Sequence, residues 1–361
     1  MRRILFVVLL LSGFGLQARD LKNFILAARR GGVIEFIDPL TLKTVSRIHF
    51  DVPSGSAGLD GAMGSADGTS IYVEGPITGL PDISGGCCFL YSVDLATLHA
   101  RKVAGVWGSR SRQAFVISSG VVYRTAELSP SGVIADTDGD QLYLYPAGHE
   151  LFGVRRFRGP ALDVFDLVRG SAIHHLVPTG LEGDWWPSGA SSGDRFYFYA
   201  AKSDGSAARL WTVSANTAEL GPGVAVETFG QVPGCLQGRL EEIVAAGGNL
   251  FVYEAFGFKI DRRNVCQTQI PGGAWLLDPE TGRLLRQIAP HLHFSALIPD
   301  RVEPVLYGLA SGPDWQAPVE LVRINARDGR VMESRLLDAD FWRITAAPLR
   351  TAPTGDVRAS P

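Results

Sequence analysis

In His291-Leu292-His293 two imidazoles stand two residues apart, the spacing that puts both on one face of a strand. Such a pair could hold zinc or copper or ligate a haem, and polar lining of a channel is the alternative. No third ligand stands nearby. Asp136-Thr137-Asp138-Gly139-Asp140 crowds three carboxylates, Asp136, Asp138 and Asp140, into one short stretch. The crowding suits calcium, but the glycine stands at the fourth place and no bidentate glutamate follows in register, so a turn explains it equally well. No metal site is assigned. His174 and His175 are neighbours on a predicted strand, where adjacent side chains face opposite ways and chelate poorly together.

Trp185-Trp186-Pro187 reads as a loop ahead of a strand, where Trp185 and Trp186 could anchor a partner; packing between sheets is the alternative. Residues 256–269 form the longest polar insert, and its Lys259, Arg262 and Arg263 are candidate binding residues, since loops on a rigid scaffold commonly carry function. Cys235 and Cys266 flank that insert and one strand and are the candidate disulfide. Cys87 and Cys88 are adjacent, and their oxidation state stays open. No cysteine or histidine spacing suggests a zinc motif. The chain is read as lacking a serine-nucleophile elbow, a phosphate loop, a CxxCH haem attachment and an HExxH pair. No catalytic residue and no cofactor are assigned.

Positioning such residues falls to a repeated unit. Gly68 to Val73, Gly139 to Leu144, Gly193 to Phe198, Gly248 to Val252 and Glu303 to Tyr307 each write a small turn and then an aromatic-centred strand. A second motif is an apolar strand, a polar anchor and a short turn, as in Ile37-Asp38-Pro39-Leu40-Thr41 and Leu277-Asp278-Pro279-Glu280-Thr281-Gly282. The anchors Asp38, Asp94, Asp166, Ser214, Asp278 and Asn325 fall 56, 72, 48, 64 and 47 residues apart. A four-stranded propeller blade takes roughly 40–50 residues. Gly120-Val121-Val122-Tyr123 and Asp136 supply an extra unit inside the long gap. The expected fold is therefore all-β, a seven-bladed β-propeller, with six blades possible. Phe24 to Ala28 starts the ring without an inner partner, and Phe341 to Ala347 reads as a lone inner strand, so the two ends are expected to share one blade and hide free edges.

Composition agrees with many turns: 42 glycines and 21 prolines in 361 residues, 46% hydrophobic and 20% charged. A formal net charge of −3 offers no basic footprint for nucleic acid. Arg2, Arg3 and the apolar run Ile4 to Leu11 read as a signal peptide over residues 1–18, and no later segment is long and apolar enough to span a membrane. The propeller domain is then 19–347, the Pro- and Thr-rich tail 348–361 is expected to be disordered, and the mature protein periplasmic or secreted.

From Cys235 to Glu333 the chain resembles the large subunit of bacterial quinoprotein amine dehydrogenases. The carrying residues are Leu250-Phe251-Val252-Tyr253, the insert Lys259 to Gln269, Trp275 to Leu284, Val305-Leu306-Tyr307-Gly308-Leu309 and Asn325 to Gly329. More loosely, the whole chain resembles YVTN-type repeat propellers. The resemblance implies an exported seven-bladed propeller with no cofactor of its own, docking a separate quinone-bearing small subunit, and it transfers no catalytic residue. Adjacent cysteines resemble the vicinal pair of quinoprotein alcohol dehydrogenases. Three functions follow: a non-catalytic propeller binding a protein or small ligand on one face, an amine-dehydrogenase-like subunit, and a free-standing quinoprotein or lactonase-type enzyme.

Overall fold

The computed structural model describes residues 21–360 except 30, 55–58, 60, 66–67, 75–76, 79–88, 106–114, 119–120, 125–141, 148–149, 156–160, 167–170, 183–184, 193–194, 203–204, 215–218, 230–241, 254–271, 301–302, 312–318 and 338–340. Every regular element among the described residues is a strand. β1 (Lys22–Arg29), β2 (Val33–Ile37) and β3 (Thr44–His49) come first. β4 (Gly61–Ser65), β5 (Ser70–Glu74), β6 (Phe89–Asp94) and β7 (Ala100–Gly105) follow, then the hairpin β8 (Phe115–Ser118) and β9 (Val121–Arg124). Next come β10 (Leu142–Ala147), β11 (Glu150–Arg155), β12 (Ala161–Asp166) and β13 (Ser171–Leu176). After them stand β14 (Trp185–Ser192), β15 (Arg195–Lys202), β16 (Ala208–Ser214) and β17 (Val224–Val226). β18 (Glu242–Ala246), β19 (Asn249–Tyr253), β20 (Ala274–Leu277) and β21 (Leu284–Ile288) precede β22 (His293–Pro299), β23 (Val305–Ser311), β24 (Glu320–Asn325) and β25 (Val331–Leu336). β26 (Phe341–Leu349) and β27 (Gly355–Arg358) are last.

Within each group, consecutive strands pair antiparallel. Short parallel bridges, Gly64 and Ser65 to Val121 and Val122, and Ser118 to Leu144, tie the hairpin β8–β9 to β4 and β10. β1 pairs with β26, Ile25 opposite Ala346 and Leu26 opposite Thr345.

Strand β1 shows why these strands read as apolar runs instead of clean alternation. Leu26 and Ala28 pack with Ile71, Val73, Tyr91 and Val93 of β5 and β6. Ile25 and Ala27, on the other face, pack with Val305, Tyr307, Leu309 and Leu321 of β23 and β24. A sheet covered on both faces buries every residue of its central strands. The same division recurs. Phe251 and Tyr253 of β19 join Phe294 and Leu306, while Leu250 and Val252 join Tyr199 and Leu210. Phe196 and Phe198 of β15 face Leu162 of β12. Each of these cores therefore lies between two neighbouring sheets, and each large side chain in them contributes about 1.5–3 kcal/mol of burial.

The polar anchors build one turn repeatedly. Asp38 Oδ1 accepts the Leu40 and Thr41 N–H groups at 3.0 and 2.8 Å, and Asp94 Oδ1 accepts those of Ala96 and Thr97 at the same distances. The fifth residue donates back to the anchor carbonyl: Leu42 to Asp38, Leu98 to Asp94, Gly282 to Asp278 and Gly329 to Asn325. All four adopt positive φ, of 53°, 57°, 72° and 72°. Glycine takes this conformation freely, whereas a leucine is strained in it. Hydrogen bonds, first among them those from Thr97, hold the Asp94 carboxyl below its usual range.

Three expectations change here. The tail is ordered: Leu349 is buried, β27 pairs in parallel with β3, and Ala359 packs into the core between the first two sheets. Ala100 N donates to Ser360 O at 2.7 Å and Ser360 N to Leu98 O at 3.0 Å, so the tail straps two sheets together. Its Pro and Thr content suggested disorder, but an unpaired sheet edge supplies the partners that a proline-rich segment lacks by itself. Leu142–Ala147 comes first in the run β10 to β13, whereas the aromatic-centred strands β5, β15, β19 and β23 come second in theirs. Turn-type residues flank it in the sequence, Gly139-Asp140 before and Gly148 after, as they flank the others. His291 lies in a turn and is exposed, while His293 opens β22 half-buried, so the pair does not share a strand face.

Among the described residues one carboxylate is buried within a charged cluster. Glu35 on β2 is 1% exposed and accepts from Thr44 Oγ1 at 2.7 Å, Arg47 Nε at 2.9 Å and Arg29 Nη1 at 3.1 Å. Arg335 of β25 reaches across, with Nη2 3.8 Å from Glu35 and Nη1 2.8 Å from Thr44 Oγ1. Burial pushes the Glu35 carboxyl up, but the bonds from Arg47 and Thr44 and the charges of Arg47 and Arg29 together hold it below its usual range.

Candidate functional site

Strands β14, β18, β22 and β26 lie side by side in that order. The first three each lead their sheet, and β26 sits at the end of the sheet that continues into β1. A half-open cavity of about 180 Å³ lies among them. Its walls are Gly189 and Ala190 of β14, Glu242 to Ala245 of β18, Tyr253 of β19, Leu297, Ile298 and Pro299 of β22, and Ala346 of β26. Side chains alternate along a strand, so runs of consecutive lining residues mean that β18 and β22 present their backbone edges to the space. The volume would hold about six waters, and it is smaller than the ~300 Å³ at which drug-sized pockets begin.

Two side chains cross from one sheet to the next on that edge. Ser188 of β14, 3% exposed, accepts the Ile243 N–H at 3.2 Å and donates to Glu242 Oε2 at 2.7 Å. Tyr253 of β19 accepts the Leu297 N–H of β22 at 3.2 Å. Glu242 is the one charged residue lining the cavity among the described residues. The carboxylate of Asp300, just beyond Pro299, accepts from the Tyr307 hydroxyl at 2.9 Å and from Asn23 Nδ2 at 3.3 Å. Burial and this neighbouring charge push the Tyr307 phenol above its usual range.

The pentapeptide Gly189-Ala190-Ser191-Ser192-Gly193 does match the letters of the GxSxG nucleophile motif, contrary to the reading of the sequence above. It cannot serve as an elbow here, because Ser191 lies within β14 opposite Phe196, whereas the elbow needs a sharp strand-to-helix turn. No group of three or more potential metal ligands occurs among the described residues.

Trp185 is 7% exposed and sits in the core, its Nε1 donating to the Glu182 carbonyl at 3.0 Å. It is a packing residue in β14 and not a loop anchor. Trp186 is also in β14. Burial lowers the His293 pKa, and neither His293 nor His291 lines the cavity. Lys259, Arg262, Arg263, Asp136, Asp138, Asp140, Cys87, Cys88, Cys235, Cys266 and residues 1–18 lie outside the described residues. Ser188, Glu242 and Tyr253 were missed. The one available signal was a polar residue opening or interrupting a leading strand otherwise made of small and apolar residues.

No family model matches the chain, and no curated protein matches it. Solved structures do. A prolyl endopeptidase aligns at 14% identity with a TM-score of 0.50, over 91% of this chain and 51% of that one. This chain thus spans about half the length of that enzyme. A quinonprotein alcohol dehydrogenase-like protein from Bacteroides thetaiotaomicron aligns at 11% identity and TM-score 0.48, over 89% and 77% of the two chains. The Dos1 propeller aligns at 7% identity and TM-score 0.38, over 88% and 68%. The described strands form antiparallel sheets packed face to face, and at 14% identity the likeness to the prolyl endopeptidase speaks for a shared fold alone; the cavity lies among strands that lead those sheets.

Proposed function

We propose that the chain is an exported, non-catalytic, seven-bladed propeller that binds a small ligand in the cavity among its leading strands. The observation that carries this reading is the cavity itself: small and apolar side chains and strand backbone edges around a carboxylate that Ser188 hydrogen-bonds. The proposed count of seven takes the hairpin β8–β9 as one unit of its own and β26 with β1 to β3 as another. The run of contacts β14 to β18, β18 to β22, β22 to β26 and β26 to β4 supports a closed ring. Export rests on residues 1–18. The test is mass spectrometry of the chain purified under native conditions. A small molecule released on denaturation, with no polypeptide partner and no turnover by the purified chain, is the expected result. Robust turnover by the chain alone would overturn the non-catalytic part.

A second reading, an amine-dehydrogenase-like large subunit docking a quinone-bearing partner, rests on the sequence resemblance over Cys235 to Glu333. The burial of Trp185 removes one of its interface candidates. Co-purification of a short chain with quinone absorbance would favour it over the first. Quinone absorbance from this chain alone, or metal in the native protein, would favour a free-standing quinoprotein or lactonase-type enzyme.

A further inference from the structure

Residues 355–360 form a strap whose side chains match one sheet edge. Gly355 to Arg358 lie in parallel register beside Ser46 to His49 of β3. The Ala359 N–H then donates to the His49 carbonyl at 3.0 Å, and Ser360 bonds Leu98 and Ala100 at the start of β7. Val357 and Ala359 pack against the core between the first two sheets. Their neighbours face the other way, as alternation requires, and meet charged partners. Asp356 lies 3.5 Å from Arg47, and Arg358 lies 2.6 Å from Asp51. Small apolar residues at every second position, with an acid and then a base beside them, are what this edge accepts.

The strap is held from its outer side. Gly355, Asp356, Arg358 and Ser360 are exposed. Arg358 and Asp51 are 70% and 59% exposed, and ion pairs so open to water add little. To reach β3 of its own copy the chain leaves β26, donates from the Arg350 N–H to the Gly68 carbonyl at 2.9 Å, and turns within residues 351–354. Pro353 stiffens that turn. The turn ends on Gly355 at a φ of 73°, where a Cβ would meet nothing within 4 Å. The backbone angle therefore demands the glycine and the surroundings do not: a side chain would fit, but an L residue resists the left-handed region. A short, constrained hinge ahead of a self-contained strand invites exchange of that strand between copies.

We propose that residues 355–360 are an exchangeable strand with Gly355 as its hinge, and that the β3 edge takes the same residues of a second copy in a two-fold, strap-exchanged dimer. Each strap makes in the dimer the contacts it makes within one copy, so hinge conformation and concentration set the balance. The edge lies on the third strand of its sheet, away from the cavity, and the proposal stands independently of the ligand reading.

The test is sedimentation of the full chain over a concentration series, in two arms. Gly355→Val penalises the left-handed hinge of the closed copy, whereas an extended hinge in the exchanged dimer tolerates valine. Each strap is expected to shift about tenfold toward exchange, so the dimer dissociation constant should fall about a hundredfold. The second arm mixes two variants. Asp51→Arg and Arg358→Asp each set like charges together within one copy, but in an exchanged heterodimer the strap of each meets the opposite charge on the edge of the other. The equimolar mixture is expected to give more dimer at low salt than either variant alone, and to lose that excess at high salt. A folded Gly355→Val variant as monomeric as wild type, or a mixture with no more dimer than its components, overturns the proposal. If Gly355→Val does not fold, the mixture decides alone, since both of its substitutions lie on exposed side chains.

Discussion

Replacing Glu35 by glutamine tests the reasoning about the buried charge cluster. The substitution conserves volume and removes one negative charge from a site bordered by Arg29, Arg47 and Arg335. Removing one partner of a buried ion pair costs about 3–5 kcal/mol. The three guanidinium side chains are 22%, 33% and 29% exposed, so water can partly rehydrate them, which points to the low end, about 3 kcal/mol. A chain of 361 residues has an unfolding entropy of about 0.75 kcal/mol/K, so the expected fall in melting temperature at pH 7 is about 4 °C. The pH dependence adds a second check. The folded carboxyl titrates below its usual range, so its contribution is fully present above the unfolded value of about 4.3 and is lost as pH falls through the lower folded value. The gap between wild type and Glu35→Gln should therefore be widest near neutrality and close in acid. Calorimetric melting at a series of pH values reads both. A variant that melts within about 1 °C of wild type at pH 7, or a gap that persists unchanged in acid, would refute the account.

Three further outcomes are expected. Deleting residues 355–361 removes β27, the Arg358–Asp51 ion pair and the Ser360 bonds. It should cost about 3 kcal/mol in urea unfolding and speed amide exchange at Ala100, since backbone bonds contribute about 1 kcal/mol each. Gly282→Ala places a Cβ against the Ala225 carbonyl at a φ of 72°, and should destabilise by about 3 kcal/mol through clash and left-handed strain. Tyr253→Phe strips the acceptor from the Leu297 N–H, with an expected cost of about 1–2 kcal/mol and faster exchange of that amide.

Legibility followed the range of the interaction. The anchors Asp38, Asp94, Asp278 and Asn325 were readable because an Asx side chain closes its turn within three residues, and the turns form as expected. Trp185 stayed open between a loop anchor and packing between sheets, because a tryptophan beside another tryptophan and a proline looks the same in either place, and it packs between sheets. The histidine pair was misread because the turn at Ala289 to Leu292, closed by the Leu292 N–H donating to the Ala289 carbonyl at 3.0 Å, delays the strand until His293.

Strand content and the turn anchors were set by the sequence alone, because alternation, glycine placement and Asx hydrogen bonds act over a few neighbouring residues. The cavity and its carboxylate, the Glu35 cluster and the tail's place beside β3 were decided only by tertiary structure. Ser188 and Glu242 are 54 residues apart, and Thr44 and Arg335 are 291 apart. Their meeting depends on which sheets become neighbours, and no local pattern carries that information.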